Sequence, residues 1–338
     1  MRAVGFASIV LLAVVGCSAA GTTKTFSGTT SSGAGGGSGT NGQGGSGAGN
    51  GNGGGLTGLG GNLGGTGGGN SDCSTAATLV YVLATDNSLW SFDPPTKAFT
   101  NLFTLDCPTP SDGNLWAPNS MAVDRNVVAW VNYVGSDPIL GTDAAGLVFK
   151  VDINAHTCEP TPAVTLPSAK WYRLGMGYAA DTAGGTAETL YVTGTGTGTS
   201  GKSPGLGKIS SANALVPIAQ FSGDAVLTGQ SAELTGTGDA KLYGFFTTSP
   251  VRVAELDTAS AAVIDDLPVS GVPSPMAWAF SFWGGAFYLY TSEDGTSNST
   301  VTRFDPTTKA VDTSYNLTSP MVIVGAGVST CAPIIPPT

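Results

Sequence analysis

The chain has 338 residues and a formal net charge of −10, with 13 Lys and Arg against 23 Asp and Glu. No cluster of lysine or arginine offsets that acidity, so the sequence excludes nucleic acid as a partner and disfavours electrostatic adhesion to anionic lipid. Hydrophobic residues make up 41% of the chain, enough for a large core, yet no stretch reaches the roughly 20 apolar residues of a spanning helix.

The chain opens with Met1-Arg2 and a run from Ala3 to Val15 that is apolar apart from Gly5 and Ser8. One positive charge before a short greasy segment predicts an export signal over residues 1–16. The run ends in Val14-Val15-Gly16-Cys17, which resembles the lipobox of bacterial lipoproteins. That resemblance implies a diacylglycerol thioether on Cys17 and membrane attachment through the N-terminal lipid. Ser18 follows where an aspartate would retain the protein in the inner membrane, so the same resemblance implies an outer-membrane lipoprotein, on its periplasmic or cell-surface face.

Residues 17–72 are the lipidated cysteine followed by a stretch almost wholly of Gly, Ser, Thr, Asn and Ala, with hardly a charge and only three leucines. Such a composition buries too little apolar surface to offset the entropy of ordering, so it predicts a flexible tether with an r.m.s. reach of about 40 Å. Residues 73–338 are then the folded part.

Within that part an apolar-aromatic strand core recurs five times: Val80-Tyr81, Ala129-Trp130, Leu190-Tyr191, Leu242-Tyr243 and Phe287-Tyr288. A second strand follows each and closes at Phe92-Asp93, Val151-Asp152, Ile209-Ser210, Leu256-Asp257 and Phe304-Asp305. Turns such as Pro94-Pro95-Thr96-Lys97-Ala98 come next, where Asp accepts backbone N–H bonds and Pro pre-sets φ, and then a further β-prone run. Short small-residue or apolar strands precede four of the cores: Ser120 to Asp124, Gly175 to Ala179, Glu233 to Thr237 and Trp278 to Phe282. No helical period of useful length appears outside the leader.

Four short strands per repeat, recurring at propeller-like spacing, resemble the blades of a β-propeller. The predicted fold is all-β: a single propeller of five blades of four antiparallel strands. The inner strand missing before Val80 reappears as Gly325 to Thr330, so the C-terminal strand completes the first blade. A two-sheet sandwich is the structural alternative. As a whole the chain resembles propeller lipoproteins of bacterial envelopes, a likeness that specifies no activity.

With Cys17 assigned to lipid, four cysteines remain in an exported chain and predict disulfides. Ring closure puts Cys331 beside Cys73 as a clasp. Cys107 and Cys158 pair by elimination, although they fall at the end and at the start of outer strands in adjacent blades. One histidine and no CxxC pair argue against zinc, and no cofactor is expected.

Several residues invite chemistry. Gly196 to Ser203 matches GxxxxGK[ST] letter for letter, but Pro204-Gly205-Leu206-Gly207 follows in place of a helix, so a hairpin loop is expected. Asp124 and Glu233 lie on inner strands, with Asp181 just beyond a third, where a carboxylate pair facing a channel would serve glycoside hydrolysis. The bland reading makes Asp124 a turn residue, pairs Glu233 with Arg173 and leaves Asp181 in a loop. His156 reads as a solvated turn residue, and Ser292 to Asn298 as a loop with oxygen ligands short of a dedicated calcium site. Trp116, Trp171 and Tyr172 sit between blades and are the candidate ligand contacts, for a glycan or a protein, with partly buried loop anchors as the commoner explanation for such aromatics. The leading functional expectation is an envelope-exposed, lipid-anchored binding or display module. The alternatives are a carbohydrate-active hydrolase using Asp124 and Glu233, and an inert spacer.

Overall fold

A computed structural model describes residues 73–160, 164, 166, 168–196 and 201–337. The expected export signal, Cys17, the expected tether and Thr197 to Ser200 of the GxxxxGK[ST] match lie outside the described residues. Among the described residues no helix is long and apolar enough to cross a membrane, and the only helical turns are two 3₁₀ segments, Ala76–Thr78 and Ala169–Trp171.

The strands fall into five antiparallel sheets. The first holds β1 (Val80–Ala84), β2 (Ser88–Asp93) and β3 (Ala98–Thr104). The second holds β4 (Leu115–Val123), β5 (Val128–Ser136), β6 (Asp143–Asp152) and β7 (Thr157–Pro160), and the third β8 (Leu174–Ala180), β9 (Glu188–Gly194), β10 (Gly205–Ile209) and β11 (Leu215–Ala219). The fourth holds β12 (Glu233–Gly236), β13 (Leu242–Phe246), β14 (Val251–Leu256) and β15 (Val263–Val269). The fifth holds β16 (Ala277–Trp283), β17 (Ala286–Ser292), β18 (Thr300–Asp305) and β19 (Ala310–Val311), with β20 (Leu317–Thr318) also on β18. The last strand, β21 (Ile323–Val328), joins the first sheet on the inner side of β1, pairing Val80 with Val328, Tyr81 with Gly327, Val82 with Ala326 and Leu83 with Gly325.

Inner strands β21, β4, β8, β12 and β16 adjoin one another in that order and β16 returns to β21, so the five sheets close a ring. The protein is a five-bladed β-propeller whose C-terminal strand completes the first blade, as the repeat predicts. Each interface between blades has its own apolar filling. Phe280, Phe282, Phe287 and Phe304 pack with Val251 and Val253 between blades 4 and 5, and Tyr288 and Tyr290 pack with Val80, Phe92 and Ile323 between blades 5 and 1. Both sheet faces are therefore buried, which is why the second strand of each blade reads as continuously apolar.

The repeat turns work as their chemistry dictates. Asp152, Asp257 and Asp305 each accept two backbone N–H bonds through Oδ1, while Asp93 takes the Thr96 hydroxyl. A left-handed residue closes each of the five hairpins: Lys97, His156, Asn213, Ala261 and Lys309, with φ between 55° and 58°.

Both expected disulfides are present. Cys73 and Cys331 join with Cα atoms 5.8 Å apart, Cys107 and Cys158 with Cα atoms 5.1 Å apart. The strand order alone makes the second pair look awkward. The twist of each blade resolves this by tilting the outer strands until the start of β7 stands beside the end of β3. His156 shows the same approach: it is an exposed turn residue as expected, and its ring stacks on Phe103 of the neighbouring blade at 4.2 Å.

Candidate functional site

Inner strands all run the same way, so one rim carries the loops between blades and the other carries the Asp-led hairpins. We call these the upper and lower rims. Cys73 and Cys331 lie on the lower rim, so the preceding 72 residues join the propeller there.

The axis between the rims is filled with polar side chains. Glu233, buried at the start of β12, reaches across the blade 3 strand to blade 2: one carboxylate oxygen accepts the Ser120 hydroxyl at 2.8 Å, and the Met176 amide also donates to the group. Toward the lower mouth, Arg125 donates to Gly185 O, Thr330 Oγ1 and Cys73 Sγ, while its amide and the Thr330 hydroxyl hold the two oxygens of Glu188. Toward the upper mouth, the buried Asn132 accepts from Asn119 and Leu174 N and donates to Leu147 O and Tyr172 O. Arg173 pairs there with Asp143 and Asn119, so its influence on Glu233 is through space and not the direct pairing expected from sequence.

Asp124 and Glu233 are not brought together. Asp124 follows β4 and spends Oδ1 on the amides of Asn126 and Val128, closing the turn to β5. Ser120, where Glu233 docks, lies four residues upstream, about 13 Å along an extended strand. The structure thus corrects the expected acid-base pair: one carboxylate caps a lower-rim turn and the other bridges blades on the axis. Asp181 accepts the Thr189 hydroxyl in a loop.

Burial pushes the Glu233 carboxyl well above its ordinary value of 4.5, with Ser120, the Met176 amide and the charge of Arg173 pulling the other way. The folded chain therefore binds this proton more tightly than the unfolded chain. The stability it carries is complete below the unfolded value and is lost as pH rises toward the folded one. Glu233→Gln keeps an acceptor for Met176 N and a partner for Ser120 without the buried charge. It is expected to unfold at higher urea than the native chain at about pH 8 and to show little difference at about pH 4. Glu233→Ala is expected to lose stability at both pH values, because it leaves an unpartnered amide in a cavity.

The three expected ligand-contact residues divide. Trp171 is only 4% exposed and packs over Gly207 in the interface between blades 2 and 3, a buried anchor and not a ligand contact. Tyr172 is half-buried, its carbonyl held by Asn132. Trp116 stays partly open on the upper rim, its indole donating to Asp112 and its ring lying over Gly135, where a Cβ would come within 2.9 Å of it.

Beside Trp116 the second blade rises above the others. Its β4, β5 and β6 have 9, 9 and 10 residues, against 4 to 7 for the corresponding strands elsewhere. The turn joining β5 to β6 is well built: Asp137 Oδ1 accepts the amides of Ile139 and Leu140, and these bonds hold its carboxyl below the usual range. It presents Ile139 and Leu140 at 90% and 71% exposure, with Leu115 at 64% next to them on β4. A second feature of this rim is a recess of about 400 Å³ between the loop leading into blade 5 and the β17–β18 loop. In that loop Asp294 accepts the amides of Thr296 and Ser297 and the hydroxyls of Ser292 and Ser297, which hold its carboxyl far below the usual range. Among the described residues no three Asp, Glu, His or Cys side chains converge as metal ligands. Sequence reasoning misses the blade 2 extension, whose apolar tip reads as an ordinary loop, and the threonines of the recess, whose alternation is the available signal, while the Ser292 to Asn298 wall is singled out for its oxygen ligands.

No protein-family model and no curated protein matches the chain. Similar solved structures include a protein of unknown function from Bacteroides caccae, 11% identical with a TM-score of 0.41, over 74% of this chain and 97% of that one. RS223 β-xylosidase is 10% identical with a TM-score of 0.41, over 59% and 77% of the two chains. A prolyl endopeptidase is 12% identical with a TM-score of 0.33 over 70% of this chain, which spans 33% of that protein's length. These likenesses are too distant to carry an argument about activity.

Proposed function

We propose that the protein is a lipid-anchored binding or display module of the outer membrane, held by acylated Cys17 on a long tether and making its contacts through the upper rim. The observation that carries this reading is the rigid turn at Ile139 and Leu140. Folding gains nothing from aliphatic side chains left in water on a hydrogen-bonded turn, whereas a partner covering them would gain about 25 cal/mol per Å² of apolar surface. The rim lies opposite the point where the tether joins, which leaves it accessible when the lower rim faces the membrane. The hydrolase alternative needs a carboxylate pair, and Asp124 with Glu233 does not supply one.

Two measurements test the parts separately. Cys17→Ser is expected to move the protein from the membrane to the soluble fraction and to abolish labelling by radioactive palmitate; continued labelling overturns the anchor. On a glycan and peptide array, the chain with Ile139→Ser and Leu140→Ser, or with Trp116→Ala, is expected to lose at least tenfold in binding to whatever the native chain retains. Undiminished binding by both variants overturns the assignment to this rim.

A further inference from the structure

We propose that the recess between blades 4 and 5 is a binding site for a neutral or amino-bearing saccharide. The proposal deepens the reading of the upper rim as the contact face and rests on it.

The argument begins with strand alternation. Phe287 and Leu289 of β17 and Phe304 of β18 face blade 4, buried with Phe280 and Val251. Side chains two residues apart share a face, so Thr291 continues this one. Thr300 pairs with Thr291 and Thr302 with Leu289, which brings two more hydroxyls onto the same face. The interface between these blades therefore changes from phenylalanine to threonine where it opens to the rim. A strand pair that merely continued the core would carry apolar residues there.

Thr291 is 7% exposed, lines the recess, and makes no side-chain hydrogen bond among the described residues. Neither do Glu293, Asn298, Thr300 or Thr302, which line it too. Thr302 is half-buried and Glu293, Asn298 and Thr300 are exposed at the mouth of the recess, so their donors and acceptors are open to a ligand that enters it. Asp294 differs, since its own loop occupies its oxygens.

The set of groups selects the ligand. Three hydroxyls and an amide both donate and accept, as sugar hydroxyls do, and Glu293 only accepts, from a hydroxyl or an ammonium. Val272 and Pro273 form the facing wall and suit the C–H face of a sugar ring. Two carboxylates and no Lys, Arg or His line the recess, so an anionic sugar is repelled. Its volume of about 400 Å³ lies in the lower part of the range for small-ligand sites and fits one or two rings.

The test is saturation-transfer NMR of the full chain with maltose, N-acetylglucosamine, glucosamine and glucuronate. Transfer to at least one of the first three is expected, with glucuronate at least tenfold weaker. Thr300→Val with Thr302→Val keeps strand propensity and volume and is expected to weaken binding at least tenfold at an unchanged melting temperature. Glu293→Gln, on an exposed loop, is expected to narrow the preference for glucosamine over glucuronate. The proposal is overturned if none of the three sugars binds, if glucuronate binds as well as they do, or if the double variant binds undiminished. Failure here with array binding still lost in the Ile139 and Leu140 variant would remove the saccharide site and leave the upper-rim reading standing.

Discussion

Gly175→Ala is expected to cost the domain more than about 3 kcal/mol, although it adds one methyl group to a strand. Gly175 sits on inner strand β8 against inner strand β12, and a Cβ there would lie 1.9 Å from Ala232 O and 2.9 Å from Glu233 Cα. Five blades leave little space around the axis, so neighbouring inner strands meet backbone to backbone. Small residues make the approach feasible. The same is seen from the other side at Gly236, where a Cβ would lie 2.2 Å from Tyr178 O, and at Gly327 of β21 against β4, where it would lie 3.0 Å from Val123 N. The obstacle at Gly175 is a backbone carbonyl at the start of the next blade's inner strand and not the end of a flexible side chain, so relief requires blade 4 to shift and Glu233 to leave its partners. Overpacking of well-ordered cores costs about 1–3 kcal/mol and more when backbone must move, against a total of roughly 5–15 kcal/mol for a domain. Gly184→Ala is the control. Its φ of +70° strains any other residue, but nothing lies within 4 Å of the added carbon, so a loss of only about 1–2 kcal/mol is expected. Urea unfolding of the two variants separates close approach from backbone conformation. A Gly175→Ala chain as stable as the Gly184→Ala chain would mean that the inner strands have room to spare.

The tightness of this axis explains which parts of the molecule were readable beforehand. Strand order and closure depend on patterns that each blade repeats, so Val80-Tyr81 and its four counterparts marked the second strands, and Gly325 to Thr330 supplied the missing inner one. The Asp-led hairpins were legible because the carboxylate acts on amides two and three residues away. The left-handed residues that close those hairpins were not, since Lys97, His156 and Ala261 lack the glycine signature of positive φ. Contacts between blades were still less accessible. Trp171 stands in a connection beside Ser168 and Lys170, where a rim aromatic is expected, and only the approach of Gly207 shows that the ring turns inward. Glu233 begins an inner strand as expected while Asp124 falls just past the end of another, but register decides which carboxylate reaches the axis, and register between blades has no local sequence code. At the proposed saccharide site the Ser292 to Asn298 loop was legible as a source of oxygen ligands, and the signal in the strands beside it was local too. Thr300-Val301-Thr302 alternates hydroxyl with apolar, and Thr291 extends the face of Phe287 and Leu289.

Removing the clasp by Cys73→Ser with Cys331→Ser is expected to destabilise the chain more than Cys107→Ser with Cys158→Ser does, and to change where unfolding begins. The clasp joins residues 258 apart in sequence and the second bond residues 51 apart. In the chain-entropy account the longer loop restricts the unfolded chain more, by about 1.4 kcal/mol, on a total of roughly 4 kcal/mol for the shorter one. The location of the clasp adds a second consequence. Strand β21 is held to the ring by pairing with β1 on one side and by small residues packed against β4 on the other, with Gly325 and Gly327 contributing no side chain. Ser329 donates to Ala77 O, and the C-terminal tail reaches Gly284 through Pro333 O, so the lower-rim contacts that follow β21 depend on Cys331 staying in place. Without the bond, release of β21 exposes the inner edge of blade 1 and opens the circle, while the other four sheets stay intact. Hydrogen exchange under native conditions should then show amides of β21 and β1 exchanging well before those of β13 and β17. In the Cys107 and Cys158 variant these four strands should keep their native order of protection. Uniform loss of protection across all five blades in the clasp variant would show that ring closure is maintained by packing between blades alone.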